Sequence, residues 1–317
     1  MEWLKFELGL SLFRCNFSAL SASKYANHHS VKKEATIWTV LIGLAVLSLI
    51  FFIIERLVGK GRQQPVIRKG WFTDVFYWIL TPLVTKQITK LVLIVPITAL
   101  VLAHVTSVEA LKTGAYRGFG PFSRLPIWMQ AIMIYILADF IGYWSHRFFH
   151  SRRWWPFHAV HHSSEELDWL GSVRVHPVND LLNNLAQVTP LLLLGFNAFA
   201  TASAAIFFTF YAIFLHANVN WDFGPFRSVL ASPAFHRWHH SKDEEAWDKN
   251  FAGLLPMWDI IFGTYYMPKG RWPENFGIHD PMPKNYLGQL WAPFAWLRRM
   301  KMEKPAVEPS EIKTTVV

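Results

Sequence analysis

Long apolar runs separated by short polar stretches organise this chain. From Ala35 to Ile54 the sequence reads ATIWTVLIGLAVLSLIFFII, without a charge. At 1.5 Å per residue such a run crosses the hydrocarbon core of a bilayer once. A second apolar region, Trp71 to Val105, is interrupted by Pro82, Lys86 and Lys90. Its second half, LVLIVPITALVLAHV, makes the better span, and its first half is expected to lie in the membrane interface. A third run begins near Leu125 and continues through ADFIGYW to a spaced pair of histidines. A fourth, Leu181 to Leu215, carries Pro190 and Gly195 near its middle, which suits a helical hairpin whose ends return to one side of the membrane.

Histidines mark the ends of these runs. On an α-helix, residues i, i+3 and i+4 share a face. His146 and His150 are i, i+4; His158, His161 and His162 form an i, i+3, i+4 triple; His236, His239 and His240 repeat it, so that H-x-x-H-H-S is written twice. Each cluster is expected to aim its imidazoles in one direction. With His216 at the end of the fourth run, the set holds nine candidate ligands, too many for one metal and suited to two at four or five each. Histidines at isolated positions are more often solvated polar groups, and His28, His29, His104 and His279 are read so. Eight of the fourteen histidines in three face-sharing clusters is a metal-binding pattern.

The metal chemistry follows from the donor set. Cys15 is the single cysteine, which excludes an intramolecular disulfide and any Cys-based zinc or iron–sulfur centre. Imidazoles without thiolate suit two first-row ions: iron where oxygen chemistry is wanted, zinc as an adventitious replacement. Ligands at the ends of lipid-embedded helices imply an apolar substrate arriving from the bilayer, with an unactivated C–H bond as the target. Asp139 stands seven residues before His146, on the stripe Asp139, Tyr143, His146, His150. An ionisable residue in a membrane helix is a functional candidate, and Asp139 is expected to fix a ligand imidazole through its second nitrogen.

Composition and charge place these elements. Apolar residues make up 52% of the 317, with sixteen Trp and twenty-six Phe, a loading typical of proteins that meet the hydrocarbon–water boundary. The net charge of +9 sits beside apolar runs, as in RLVGKGRQQPVIRKG from Arg56 and LRRMKMEK from Leu297, so anionic headgroups rather than nucleic acid are the expected partner. The segment from Arg56 to Lys90 carries seven basic residues against three from Thr106 to Arg124, which puts the histidine side in the cytoplasm and the N-terminus outside. Residues 1–34 lack a long apolar core ending in a cleavage site, so no removed signal peptide is expected. The expected division is an N-terminal segment (1–34), a membrane-embedded domain (35–268), and a C-terminal interfacial segment with a disordered tail (269–317). The fold class is all-α: a multi-pass membrane helical bundle with a cytosolic helical cap carrying a histidine-rich dimetal site.

The segments DFIGYWSHRFFH, HAVHHSSEE, RVHP, LHANVN and PAFHRWHH, followed by NFAGLLPMWDIIFGT, resemble the fatty acid hydroxylase superfamily over about Asp139 to Thr264. That superfamily includes sterol desaturases, methylsterol oxidases, carotenoid-ring hydroxylases and alkylglycerol monooxygenase. The resemblance implies an integral-membrane diiron enzyme that uses molecular oxygen and two electrons to hydroxylate or desaturate a lipid such as a fatty acyl chain or sterol. It implies ligation by His146, His150, His158, His161, His162, His236, His239 and His240, with His216 as the usual additional ligand. Some members carry a further histidine four residues after the lone one, where this protein has Asn220. His176 in RVHP is read as supporting or structural, Trp258 as packing, and Asp259 as a group that could orient a ligand. No Gly-rich dinucleotide fingerprint or fused haem domain is present, so electrons are expected from a separate ferredoxin, cytochrome or reductase. Two further readings stand beside a lipid hydroxylase. One is a sterol desaturase or ether-lipid monooxygenase of the same superfamily. The other is a metal-handling membrane protein, which would string ionisable residues through several spans rather than gather them at one end.

Overall fold

The computed structural model describes Trp38 and residues 41–58, 63–109, 118 and 121–302; the expectations for residues 1–34 and for the tail beyond 302 lie outside the described residues. Helix α1 (41–53) continues as a π-helical turn, Ile54–Val58. After it come α2 (Trp71–Leu102), α3 (Ile127–Phe149), α4 (Trp155–His162), α5 (Pro177–Leu193), α6 (Ala198–His216), α7 (Pro233–His239), α8 (Met257–Ile261) and α9 (Tyr286–Met302). Apart from one isolated bridge between Ser241 and Phe276, the described residues contain no strand. The helical bundle expected from the apolar runs is the observed architecture.

Among the described residues, α2, α3 and Phe199–His216 of α6 are long and apolar enough to cross a membrane. The expected break in the second run is absent, because α2 passes unbroken through Pro82 and Pro96. Proline is tolerated in apolar helices where neighbouring elements and local adjustments satisfy the freed backbone groups. The hairpin expected from Pro190 and Gly195 is present as α5 and α6. Gly195 adopts φ 64° at the turn. The Asn197 side chain then accepts hydrogen bonds from the backbone N–H groups of Phe199 and Ala200 at 2.9 and 3.2 Å, restarting the helix.

Packing brings both arms of the hairpin onto α3. Near the hairpin tip, Ala138, Ala200 and Ala204 are buried beside Ile134, Leu191 and Phe196, and small residues there let helices approach closely. At the other end the bundle is polar and buried. Asp74, in the first turn of α2, forms an ion pair with Arg68 at 2.7 Å and accepts from Arg174 Nε at 2.6 Å, and Arg68 also pairs with Asp168. This network ties the start of α2 to the segment just after α4. Helices α4 and α7 are short because their job is local: Pro156 and Pro233 sit at their starts, and Ser232 Oγ caps α7 by accepting from the N–H of Phe235 at 3.2 Å.

Candidate dimetal site

Nine imidazoles converge at the polar end of the bundle in two groups. His146, His150, His158, His162 and His239 form one; His161, His216, His236 and His240 form the other. Within each group one nitrogen from every residue lies within 4.8 Å of all the others. The division answers why the triple is written twice. On a helix, i+4 lies about 40° to one side of i and i+3 about 60° to the other. Helix α4 therefore sends His158 and His162 to the first group and His161 to the second. Helix α7, with its cap residue, sends His236 and His240 to the second and His239 to the first. The expectation that each triple aims in one direction is corrected: each straddles two centres.

For six of the nine imidazoles the nitrogen facing away from the centres is held by oxygen. Nδ1 of His146 meets the Phe251 carbonyl at 2.8 Å, that of His239 the Lys249 carbonyl at 2.6 Å, and that of His150 the Asp248 carboxylate at 2.9 Å. His158 Nδ1 meets Asn179 Oδ1 at 2.8 Å, His161 Nδ1 the Arg174 carbonyl at 3.2 Å, and His216 Nδ1 the Ala212 carbonyl at 2.7 Å. An oxygen acceptor places the proton on Nδ1, so Nε2 carries a lone pair. Those lone pairs face one another. Nε2 of His146 lies 3.1 Å from Nε2 of His158, and Nε2 of His161 lies 3.1 Å from Nε2 of His216. The buried Nε2 atoms of His150, His162 and His239 have no hydrogen-bond partner.

Protonation does not relieve this crowding. Burial first, and neighbouring imidazoles second, hold His158, His162, His236, His239 and His240 well below the ordinary value of 6.5, and His161 likewise. Facing, unprotonated, buried Nε2 lone pairs fit a cation in each group. Both groups consist of imidazole alone, a donor set suited to first-row divalent ions.

Asp139 does not touch an imidazole, contrary to the expectation. Its carboxylate accepts from the backbone N–H groups of Leu254 (2.7 Å) and Leu255 (2.8 Å) and from Trp258 Nε1 (3.0 Å). A buried carboxylate needs several donors, and this loop supplies three. Asp259 likewise accepts from Phe251 N–H, Ala252 N–H and Thr264 Oγ1 rather than from a histidine. Trp258 packs edge-on against Phe140 at 4.9 Å, as its packing role requires. His176 is structural: Nδ1 caps α5 by accepting from Val178 N–H, and Nε2 donates to the Leu290 carbonyl of α9. Asn220 is exposed, and His104 and His279 belong to neither group. His28 and His29 lie outside the described residues.

Sequence reasoning missed Asn179, Asp248 and the Arg174 carbonyl. Asn179 is the third residue after His176, and its distance of twenty-one positions from His158 leaves no local signal. A backbone carbonyl leaves none at all.

The family profile described as fatty acid hydroxylase matches residues 131–264. The ornithine lipid hydroxylase OlsE of Rhizobium tropici is 30% identical over 188 residues, which is 59% of this chain and 56% of that protein. Alkylglycerol monooxygenase of Danio rerio is 31% identical over 180 residues, 54% of this chain and 38% of that protein. A rice very-long-chain aldehyde decarbonylase, GL1-11, is 27% identical over 179 residues, 52% of this chain and 66% of that protein. The chain thus spans about half the length, or less, of the first two. No solved structure matches. The matched segment contains eight of the nine converging histidines on either side of the helical hairpin and the ninth at its end, and over that segment the chain is similar to the fatty acid hydroxylase family.

Proposed function

We propose that the protein is a membrane-bound, oxygen-dependent lipid hydroxylase whose nine histidines hold two iron ions. One observation carries this reading: two all-imidazole groups, with facing Nε2 lone pairs, stand at the ends of membrane helices. When bound, the metal pair supplies the reductive activation of molecular oxygen that an unactivated C–H bond demands. The protein's own residues do the rest. Oxygen acceptors at Nδ1 hold six of the nine rings, those of His146, His150, His158, His161, His216 and His239, at a fixed tautomer and angle, as metal-ligating histidines require. Burial of the cap excludes water from the reacting carbon. One oxygen atom goes to the lipid and the other, with two electrons and two protons, to water; the electrons come from a separate ferredoxin, cytochrome or reductase.

The substrate is a lipid bearing a long alkyl or acyl chain, in keeping with the ornithine lipid hydroxylase and alkylglycerol monooxygenase relatives. On the lipid side of α3 and α5, an open apolar groove of about 510 Å³ is lined by Phe140, Trp144, Phe148, Trp154 and Leu182. Phe149, also in its wall, has its ring 6.0 Å from that of His158, so the groove would seat an alkyl tail beside the five-histidine group. Residues 35–268 form the catalytic unit, and residues from 269 form an interfacial segment. In the latter, α9 leaves Leu287, Trp291 and Phe294 exposed and ends in Arg298, Arg299 and Lys301.

The histidine cap faces the cytoplasm. Single cysteines at the exposed positions Arg152 and Glu244, in a Cys15→Ser background, should label from that side only; labelling from opposite sides would refute a single centre. The reaction is tested by incubating membranes with isotopically heavy oxygen, a reducing system and a lipid extract. Label retained in a lipid product is expected. A product two hydrogens lighter, with label only in water, would replace hydroxylation by desaturation.

A further inference from the structure

One short segment, residues 248–251, supplies the outer hydrogen-bond acceptor for three of the five imidazoles in the first group, one through a side chain and two through backbone carbonyls. Asp248 serves His150, the Lys249 carbonyl serves His239, and the Phe251 carbonyl serves His146. The conformation that achieves this is unusual. Asp248 and Asn250 both occupy the left-handed region, at φ 53° and 58°, although neither is glycine. Such conformations persist only where surroundings over-determine them. The left-handed Asn250, between the two residues whose carbonyls serve the cradle, turns both toward the histidines. Asn250 is itself locked, since its amide donates to the carbonyls of Phe235 (2.9 Å) and Tyr266 (2.7 Å) and accepts from the N–H of Tyr266 (2.7 Å).

Two buried carboxylates hold the rest. Asp259 takes the N–H groups of Phe251 and Ala252, and Asp139 those of Leu254 and Leu255, so four of the five backbone N–H groups from Phe251 to Leu255 end on a carboxylate. Asp139 lies two turns before His146 on α3. The helix that presents His146 also anchors the loop that orients it. The four-histidine group has no share in this loop: its outer contacts are the Arg174 and Ala212 carbonyls, and His236 Nδ1 is buried without a partner.

We infer that residues 248–255 form a preset cradle for the five-histidine group alone, and that Asp139 and Asp259 are positioning residues acting through it. The inference rests on the two-metal reading, and the two fail differently. If the parent protein does not carry two metals per molecule, that reading is wrong. If it does, Asp259→Asn decides the cradle, because an amide N–H then faces a backbone N–H where a carboxylate oxygen stood. Elemental analysis of detergent-purified protein should fall from two metals to one. Adding His239→Ala should leave that one in place, while adding His236→Ala should bring the count near zero. Loss of both metals from Asp259→Asn alone, retention of both, or disappearance of the residual metal on adding His239→Ala would overturn the inference.

Should Asp259→Asn not fold, Asp248→Gly provides the decision, because this side chain is 72% exposed and glycine adopts the left-handed φ of 53° at this position without strain. Loss of a ligand's outer partner weakens metal affinity about 10–100-fold. Chelator should therefore extract one of the two metals about tenfold faster or more and leave the other unchanged. Equal acceleration of both, or no change, would overturn the inference.

Discussion

The two histidine groups are alike in ligand chemistry and differ in what holds them. The five-histidine group is oriented from outside its own helices: by the 248–251 loop for three rings and by Asn179 for His158. The four-histidine group leans on its own neighbourhood. His216 meets the carbonyl of Ala212, one turn back on α6, and His161 meets the carbonyl of Arg174. Arg174 in turn is fixed by Asp74 in the buried charge network at the start of α2. One centre is thus tied to the loop that follows the second triple, the other to the membrane helix that precedes both triples. Identical donor sets can therefore be disturbed separately, and experiments that do so test the comparison.

The largest effects come from the ligands themselves. His161→Ala removes one imidazole from the four-histidine group and His239→Ala one from the five-histidine group. Each should abolish turnover while leaving membrane insertion intact, since the spans do not depend on these side chains; carbonate extraction and a lipid-product assay check both halves. Next comes Asp74→Asn, which leaves the buried Arg174 guanidinium without its anion. Removing one partner of a buried pair costs about 3–5 kcal/mol. Thermal unfolding should shift down accordingly, and the four-histidine group should lose metal first, the reverse of the order expected for Asp259→Asn.

A pH series on metal-free protein sharpens the comparison less selectively. The six imidazoles on α4 and at α7 are held well below 6.5 by burial, so below that value the unfolded state binds more protons than the folded one. Stability is complete above about 6.5 and falls as the pH is lowered through it. Denaturant titrations at pH 7.5 and 5.5 should show the metal-free form weaker at the lower pH, and no difference would mean the imidazoles are not desolvated. The smallest effect is expected from His176→Ala. It removes the cap on α5, worth about 1 kcal/mol, and should leave the metal count at two because both its nitrogens are engaged elsewhere.

What the sequence disclosed follows the range over which its signals act. Helical spacing is local, so the three histidine clusters, the hairpin centred on Gly195 and the capping of the bundle at one end were all legible. Eight of the nine converging residues were nameable in advance for the same reason, and His216 by its place at the end of the fourth apolar run. How each triple divides between two centres depends on where the partner helices stand, and spacing alone did not separate His161 from His158 and His162. The continuity of α2 through Pro82 was missed because a proline signals a break only where nothing else satisfies the freed carbonyl. Asp139 was expected to fix a ligand imidazole, yet it accepts from backbone N–H groups more than a hundred residues away. No residue type announces such a contact.

The central claim is that two groups of facing imidazole lone pairs hold two metal ions. The direct measurement is metal content and X-ray absorption on protein purified from membranes in which lipid oxidation has been demonstrated. The account predicts two first-row metal ions per molecule, iron in the active form, with a first shell made predominantly of imidazole nitrogen. Fully active protein carrying fewer than one metal per molecule, or one whose metal remains after the His161→Ala, His239→Ala double substitution, would contradict it.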